Sequence, residues 1–258
     1  NKYESKYESK DAYEEKTEMP SIEYKKKIYF AKERLESNKS NTTFIKVFPE
    51  GHFIKYKQTD IASFMMIKDI LDAISTDKTY NIIDIKNILL KEYKLFFKKY
   101  KEEDVYNRLA IEGKVSKINN IKKDNLTFEE FLLSEDYYIT FLDLWIISLK
   151  FNIGVFCTIQ GSLYPLFKLD NIPTYFIFVK VDRKNNNKPI EFKVVESNDS
   201  ILFEKEKLIK NSIIKSVLER TNKFSIYHYI KSKDKIYNTL KSKIPIHEDD
   251  LPVEEEED

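Results

Sequence analysis

The sequence predicts an α+β fold, with a helix-rich N-terminal half packed on a small, mostly antiparallel sheet. Three observations carry that expectation. Apolar residues recur at helical spacing in the first half, as in Phe64, Ile67, Leu71 and Ile74. The period then drops to two at Ile153, Val155, Cys157 and Ile159, the mark of a strand. Further strand-like runs at Tyr175 to Val181 and Ile190 to Val195 flank a polar turn at 182–188. The implied organisation is a charged tail or linker at 1–19, a single α+β domain at 20–244, and an acidic tail at 245–258.

In chain order, residues 1–19 hold a tandem repeat, Lys2 to Ser5 and Lys6 to Ser9, with no continuous apolar stripe to bury. Pro20 suits the first turn of a helix running to about Ser37, since its missing N–H is not needed there. Thr43 to Val47 and Phe53 to Lys57 read as short strands around the turn at Pro49 to Gly51. Asp60 is placed to cap the next helix, because its carboxylate can accept from exposed backbone N–H groups. A second helix at about 82–101 aligns Ile85, Leu89, Tyr93, Phe96 and Tyr100, and a third covers roughly 102–118. The segment from Tyr137 to Phe151 is apolar almost all round, as a helix enclosed by neighbours would be. After the strands come a helix at about 203–220, a weaker strand or helix at 224–231, and a last helical segment before Pro245.

Composition narrows the chemistry. The chain has four glycines, where average usage would give roughly eighteen. No two of them fall within six residues of each other, so the clustered glycines of a phosphate-cradling loop are missing. Cys157 is the only cysteine, which excludes an intrachain disulfide and a multi-cysteine zinc site and suits a reducing intracellular compartment. As a mid-strand residue it reads as a small core side chain. His52, His228 and His247 are scattered, no cofactor motif is present, and no apolar run reaches the length of a membrane helix. Lysine, asparagine, isoleucine, tyrosine and phenylalanine are abundant and share AT-rich codons, so genome composition accounts for the lysine excess.

The net charge of +1 hides an asymmetry. Glu248 to Asp258 hold eight acids and no base, so the rest of the chain carries +9. A basic body beside an acidic tail could bind polyanions with the tail as competitor, or the tail could simply be a solvated terminus. Only four of the basic residues are arginines, which makes nucleic acid an unfavoured partner. Lys91 to Lys101 mixes bases with rings, but helical spacing puts Tyr93, Phe96 and Tyr100 on the core stripe rather than out for base stacking.

Two constellations bear on function. From Tyr137 to Cys157 a helix with one acid, Asp143, and the sole tryptophan, Trp145, runs through Asn152 straight into an apolar strand. Upstream, Thr59-Asp60-Ile61-Ala62-Ser63-Phe64 opens an amphipathic helix. Together these stretches resemble the nucleophile helix and the acid-helix-to-strand segment of OTU-type cysteine proteases, a pattern also met in proteins of large DNA viruses. The resemblance spans residues 45–230 and implies a papain-like fold with ubiquitin as partner. It places Ala62 where the family keeps its cysteine, and a methyl group cannot attack a carbonyl. The general-base position finds its residue pair only at His228-Tyr229. The implied site is thus a shadow at Asp60, Ala62 and His228, from a native or an engineered loss of the thiol.

The second constellation is Glu191-Phe192-Lys193, with Asp170 or Asp182 upstream. Glu191 and Lys193 share a strand face, as in Mg²⁺-dependent nucleases that use carboxylates for the metal and a lysine for the transition state. An exposed strand face with alternating charge has the same pattern. The leading expectation is therefore a non-catalytic, OTU-like module that contacts a protein. An inactivated deubiquitinase and a Mg²⁺-dependent nuclease are the alternatives.

Overall fold

A computed structural model of the chain describes residues 30–34, 46–48, 50–57, 60–159, 162–167, 172–184, 188–220 and 225–232. The fold is α+β. Strands β1 (Phe30–Arg34) and β2 (His52–Lys57) come first, followed by helices α1 (Asp60–Ile74), α2 (Ile82–Lys99) and α3 (Glu102–Leu109). A π-helical turn at Ala110–Lys114 leads into α4 (Val115–Ile121), α5 (Phe128–Leu133) and α6 (Phe141–Phe151). The remaining strands are β3 (Ile153–Ile159), β4 (Ser162–Pro165), β5 (Tyr175–Lys184), β6 (Lys188–Glu196) and β7 (Phe203–Glu204). Short helices α7 (Lys205–Leu208), α8 (Ser212–Arg220) and α9 (Ile226–Lys231) end the described chain.

The sheet runs β1-β2-β6-β5-β3-β4, with β7 paired to the start of β5. Every pairing is antiparallel except β3 with β5. The alternation read from the sequence sets two faces. Tyr56, Phe192, Val194, Val179, Val155 and Cys157 share one, all nearly or fully buried. Helix α1 covers that face, and the Tyr56 hydroxyl donates to Asp69 of α1 at 2.8 Å. The other face carries Phe156 and Phe178, roofed by Phe48, Phe167 and Phe203 with ring centroids 4.4–5.7 Å apart.

A separate aromatic knot joins the helices, with Phe128 lying 5.0 Å from Tyr93 and 4.9 Å from Phe97. Edge-to-face contacts of this kind add about 0.5–1.5 kcal/mol each beyond the area they bury. In β3, Gly154 is there because Phe176 of β5 occupies its side-chain space. A Cβ at that position would stand 2.2 Å from the Phe176 ring.

Several expectations are corrected. Residues 30–34, expected inside a helix, pair with β2 as a strand. Lys46 and Val47, expected in a strand, are helical. The helix expected at 102–118 is broken by the π turn, where Gly113 takes φ 101°, a left-handed value that side-chain-bearing residues avoid. Helix α6 starts at Phe141 rather than Tyr137 because Thr140 and Asp143 form a reciprocal capping box. The helix expected at 203–220 opens with β7, since Phe203 pairs with Phe176 and roofs the aromatic face, and it is interrupted again before Ser212. The tail repeats, the helical segment before Pro245, Asp170 and His247 lie outside the described residues.

Candidate functional site

Among the described residues, buried charge gathers at the start of α6. A helix leaves its first backbone N–H groups without intrahelical partners. Here Phe141 N donates to Glu112 Oε2 at 2.6 Å, and Leu142 N to both Glu112 oxygens at 3.2 Å. Asp143 N donates to Thr140 Oγ1 at 3.1 Å, while Asp143 Oδ2 accepts from Thr140 N at 2.7 Å. One end of a core helix is thereby closed by a carboxylate from the π turn and by its own cap. The partial positive charge of the helix N-terminus favours both anions.

Tyrosines complete the cluster. Tyr93 and Tyr137 donate to Asp143 at 2.6 and 2.8 Å, and Tyr229 of α9 donates to Glu112 at 2.7 Å. The Arg108 guanidinium lies 4.3 Å from the Tyr229 ring and donates to the Ser232 carbonyl. Lys114 stands 4.1 Å from the Tyr137 ring. Burial pushes the Asp143 and Glu112 carboxyls above their ordinary range, while the donated hydrogen bonds oppose the shift only in part. Burial, with Asp143 beside them, drives the Tyr93 and Tyr137 hydroxyls far up.

Perturbed carboxyls often mark catalytic sites. These do not offer one, because Arg108, Glu112 and Asp143 each have 0% exposure. Their hydrogen bonds are spent on joining α2, α3, α6 and α9.

The residues singled out from the sequence stand elsewhere. Ala62 is completely buried in α1, and its neighbour Ser63 accepts from Ile139 N at 3.0 Å. Asp60 opens the same helix, with its side chain outside the described residues. His228 is exposed on α9, where Ser225 Oγ lies 2.8 Å from its Nδ1. Helix α9 packs on α3, whereas α1 packs on β2 and α2, so Ala62 and His228 belong to different neighbourhoods. A thiol at position 62 would be enclosed in the same way. Cys157 is fully buried in β3, as a core residue would be.

Lys193 is half-buried on β6 and faces Lys55 and Lys180 in register. Glu191 is in register with Lys57 and Asp182, and the side chains of those three lie outside the described residues. Among the described residues, no group of three or more His, Cys, Asp or Glu is placed to hold a metal ion, and no helix is long and apolar enough to cross a membrane.

Among the described residues, an accessible cleft of about 570 Å³ lies between Val47, Phe48 and Glu50, the turn at Ser197 to Ser200, and α7. Phe48, Leu202, Phe203 and Leu208 give it an apolar floor, and Ser197, Asn198, Ser200 and Asn211 give it a polar rim. Its turn is tight and specific. Ser197 and Ser200 exchange backbone bonds at 2.9 and 3.1 Å, and Asn198 and Asp199 both take left-handed φ near 52–55°. Two consecutive left-handed residues are the mark of a hairpin turn, and Asn and Asp tolerate that backbone best. The Ser200 hydroxyl donates to the Leu202 carbonyl at 2.9 Å and accepts from its N–H at 3.1 Å, which fixes the rim against the floor.

No family model, curated protein or solved structure matches the chain.

Proposed function

We propose that the chain is a non-catalytic protein-interaction module whose contact surface is the cleft lined by Phe48, Ser200, Leu202 and Lys207. One contrast carries this reading. Glu112 and Asp143, whose carboxyls burial raises, are sealed in the interior, while the accessible cleft offers rings, aliphatic groups, a hydroxyl and amide rim and the charged Glu50, Glu204 and Lys207. An apolar floor with a few fixed polar groups is how a site grips a segment of another protein. The resemblance of residues 59–64 and 137–157 to OTU proteases names ubiquitin as the first partner to try. Complete burial of Ala62 agrees with a module that binds without cleaving.

The test is a titration of the ¹⁵N-labelled chain with ubiquitin, observed at the amides of Ser197, Ser200, Leu202, Lys207 and Asn211. Saturable shifts confined to these amides are expected, and Leu202→Asp should remove them. Absence of any shift at millimolar ubiquitin sinks the ubiquitin assignment. Hydrolysis of a ubiquitin ester, or Mg²⁺-dependent cleavage of DNA that is lost in Lys193→Ala, would sink the non-catalytic reading itself.

A further inference from the structure

The end of α2 meets α9 in a patch of rings at the surface. Helical spacing puts Tyr100 on the core stripe with Tyr93, but α2 ends at Lys99, one residue short of it. As the C-cap, Tyr100 takes extended backbone, φ −119° and ψ 154°, and leaves the stripe. Its ring comes within 6.0 Å of the Tyr227 ring of α9, at an interplanar angle of 39°. Phe96 lies 5.1 Å from Tyr100, and His228 lies 5.7 Å from Tyr227, so four rings form a continuous run. Phe96 and Tyr100 are half-buried, whereas Tyr227 is 44% exposed and His228 is exposed beside it.

Lysines border the run. The Lys231 ammonium stands 4.8 Å from the centre of the Tyr227 ring, and the Lys99 ammonium 5.4 Å from that of Tyr100. Both side chains are exposed, as is Lys101 next along the chain. Among the described residues, none of these three ammonium groups has a carboxylate within 4 Å. Asp104 attracts Lys231 only from a greater distance. Glu102 and Glu103 open α3, where a helix N-terminus favours acids, and Glu102 also accepts from the Tyr106 hydroxyl.

We propose that this patch binds single-stranded nucleic acid, with bases stacked on Tyr227 and Tyr100 and phosphates against Lys99 and Lys231. The proposal goes beyond the cleft and does not depend on it. Exposed rings attract the π-face of any base, and lysines beside them neutralise the phosphates that join the bases. An acidic peptide would match the lysines alone and leave the rings unused. A duplex keeps its bases stacked inside, so only an unpaired strand offers faces to these rings. The scarcity of arginine weighs against reading base edges, which takes bidentate donors. Stacking needs none. The patch therefore holds a strand without selecting its sequence.

The test is fluorescence anisotropy of a labelled oligothymidylate titrated with the full chain. Saturable binding is expected, with affinity falling about sevenfold between 50 and 200 mM salt if two phosphates are neutralised. Tyr227→Ala should weaken binding about fivefold or more, while Tyr227→Phe, which keeps the ring, stays within about twofold of the parent. Lys231→Gln should lower the salt slope by about 0.7. A strand carrying 5-iodouracil should cross-link under ultraviolet light to Tyr227 or Tyr100, read by peptide mapping. Absence of saturable binding, equal affinity in Tyr227→Ala, or cross-links only at other sites would overturn the proposal. So would tighter binding of duplex or polyphosphate than of the single strand, since charge alone would then account for it. Binding to phosphatidylserine vesicles that is lost in Tyr227→Ala, without any such loss for the oligonucleotide, would assign the patch to a lipid surface instead.

Discussion

The polar cluster at the start of α6 and the lysine row on the sheet use the same kinds of side chain to opposite ends. Around Glu112 and Asp143 each carboxylate accepts at least three hydrogen bonds, and the groups have no exposure. On the sheet, three lysines stand side by side and half-buried, with like charge facing like. Buried polar groups that are satisfied fix a structure, and they cost dearly when one partner is removed. Charges of one sign held side by side on neighbouring strands repel and add little to the fold. The cluster holds elements together, whereas the row sets like charges against one another.

The sharpest way to break that contrast is Asp143→Ala. It removes the side-chain half of the capping box, the Asp143 carboxylate that accepts from Thr140 N, and orphans the buried hydroxyls of Tyr93 and Tyr137. A loss on the order of 3–5 kcal/mol in urea unfolding is expected from those combined costs. The loss should be the same at low and high salt. A loss that fades with salt would place Asp143 among the surface charges.

Next in size is Gly154→Ala, which drives a methyl group into the Phe176 ring and should cost about 1–3 kcal/mol. An unchanged unfolding midpoint would mean that the ring has room to move. Glu112→Gln tests the ionisation of the cluster. Burial raises the Glu112 carboxyl above its ordinary value of 4.5, so the folded chain holds the proton to higher pH than the unfolded chain does. Stability from that proton is present below pH 4.5 and is lost as pH rises through the folded value. The variant should therefore gain on the parent as pH climbs from 4.5, and a flat difference would contradict the raised carboxyl. The smallest effect belongs to Lys193→Ala. Relief of two like-charge pairs should offset the lost packing to within about 1 kcal/mol, with the difference largest at low salt.

Much of the architecture was legible because burial leaves a periodic trace. Ile85, Leu89 and Tyr93 line α2, and Val155 and Cys157 line β3, as their spacing implies. Elements were misread where tertiary contacts outweigh local pattern. Phe203 looks like the start of a helix but pairs with Phe176, and residues 30–34 pair with β2 instead of coiling. The candidate site was less legible. Glu112 sits in a stretch with helical pattern, and only Gly113 beside it signals a break. Thr140-x-x-Asp143 was a readable capping signal that dates the start of α6. The cleft had one local sign, the Asn198-Asp199 pair, because its floor comes from Phe48 and Leu202, far apart in sequence. The lysine row had none, since register between β2, β6 and β5 depends on how distant strands align.

That alignment governs how the protein comes to be made. His52 pairs with Glu196, so the β1–β2 hairpin leaves the ribosome about 140 residues before the strand that covers its edge. At about 5–20 residues per second the wait is roughly 7–30 s, far longer than a hairpin or helix needs to form. During that interval Phe53, Ile54 and Tyr56, all destined for the core, have no sheet to join. Synthesis is therefore the period when this chain most needs a chaperone, and a stalled ribosome anywhere before β6 leaves an open strand edge ready to aggregate.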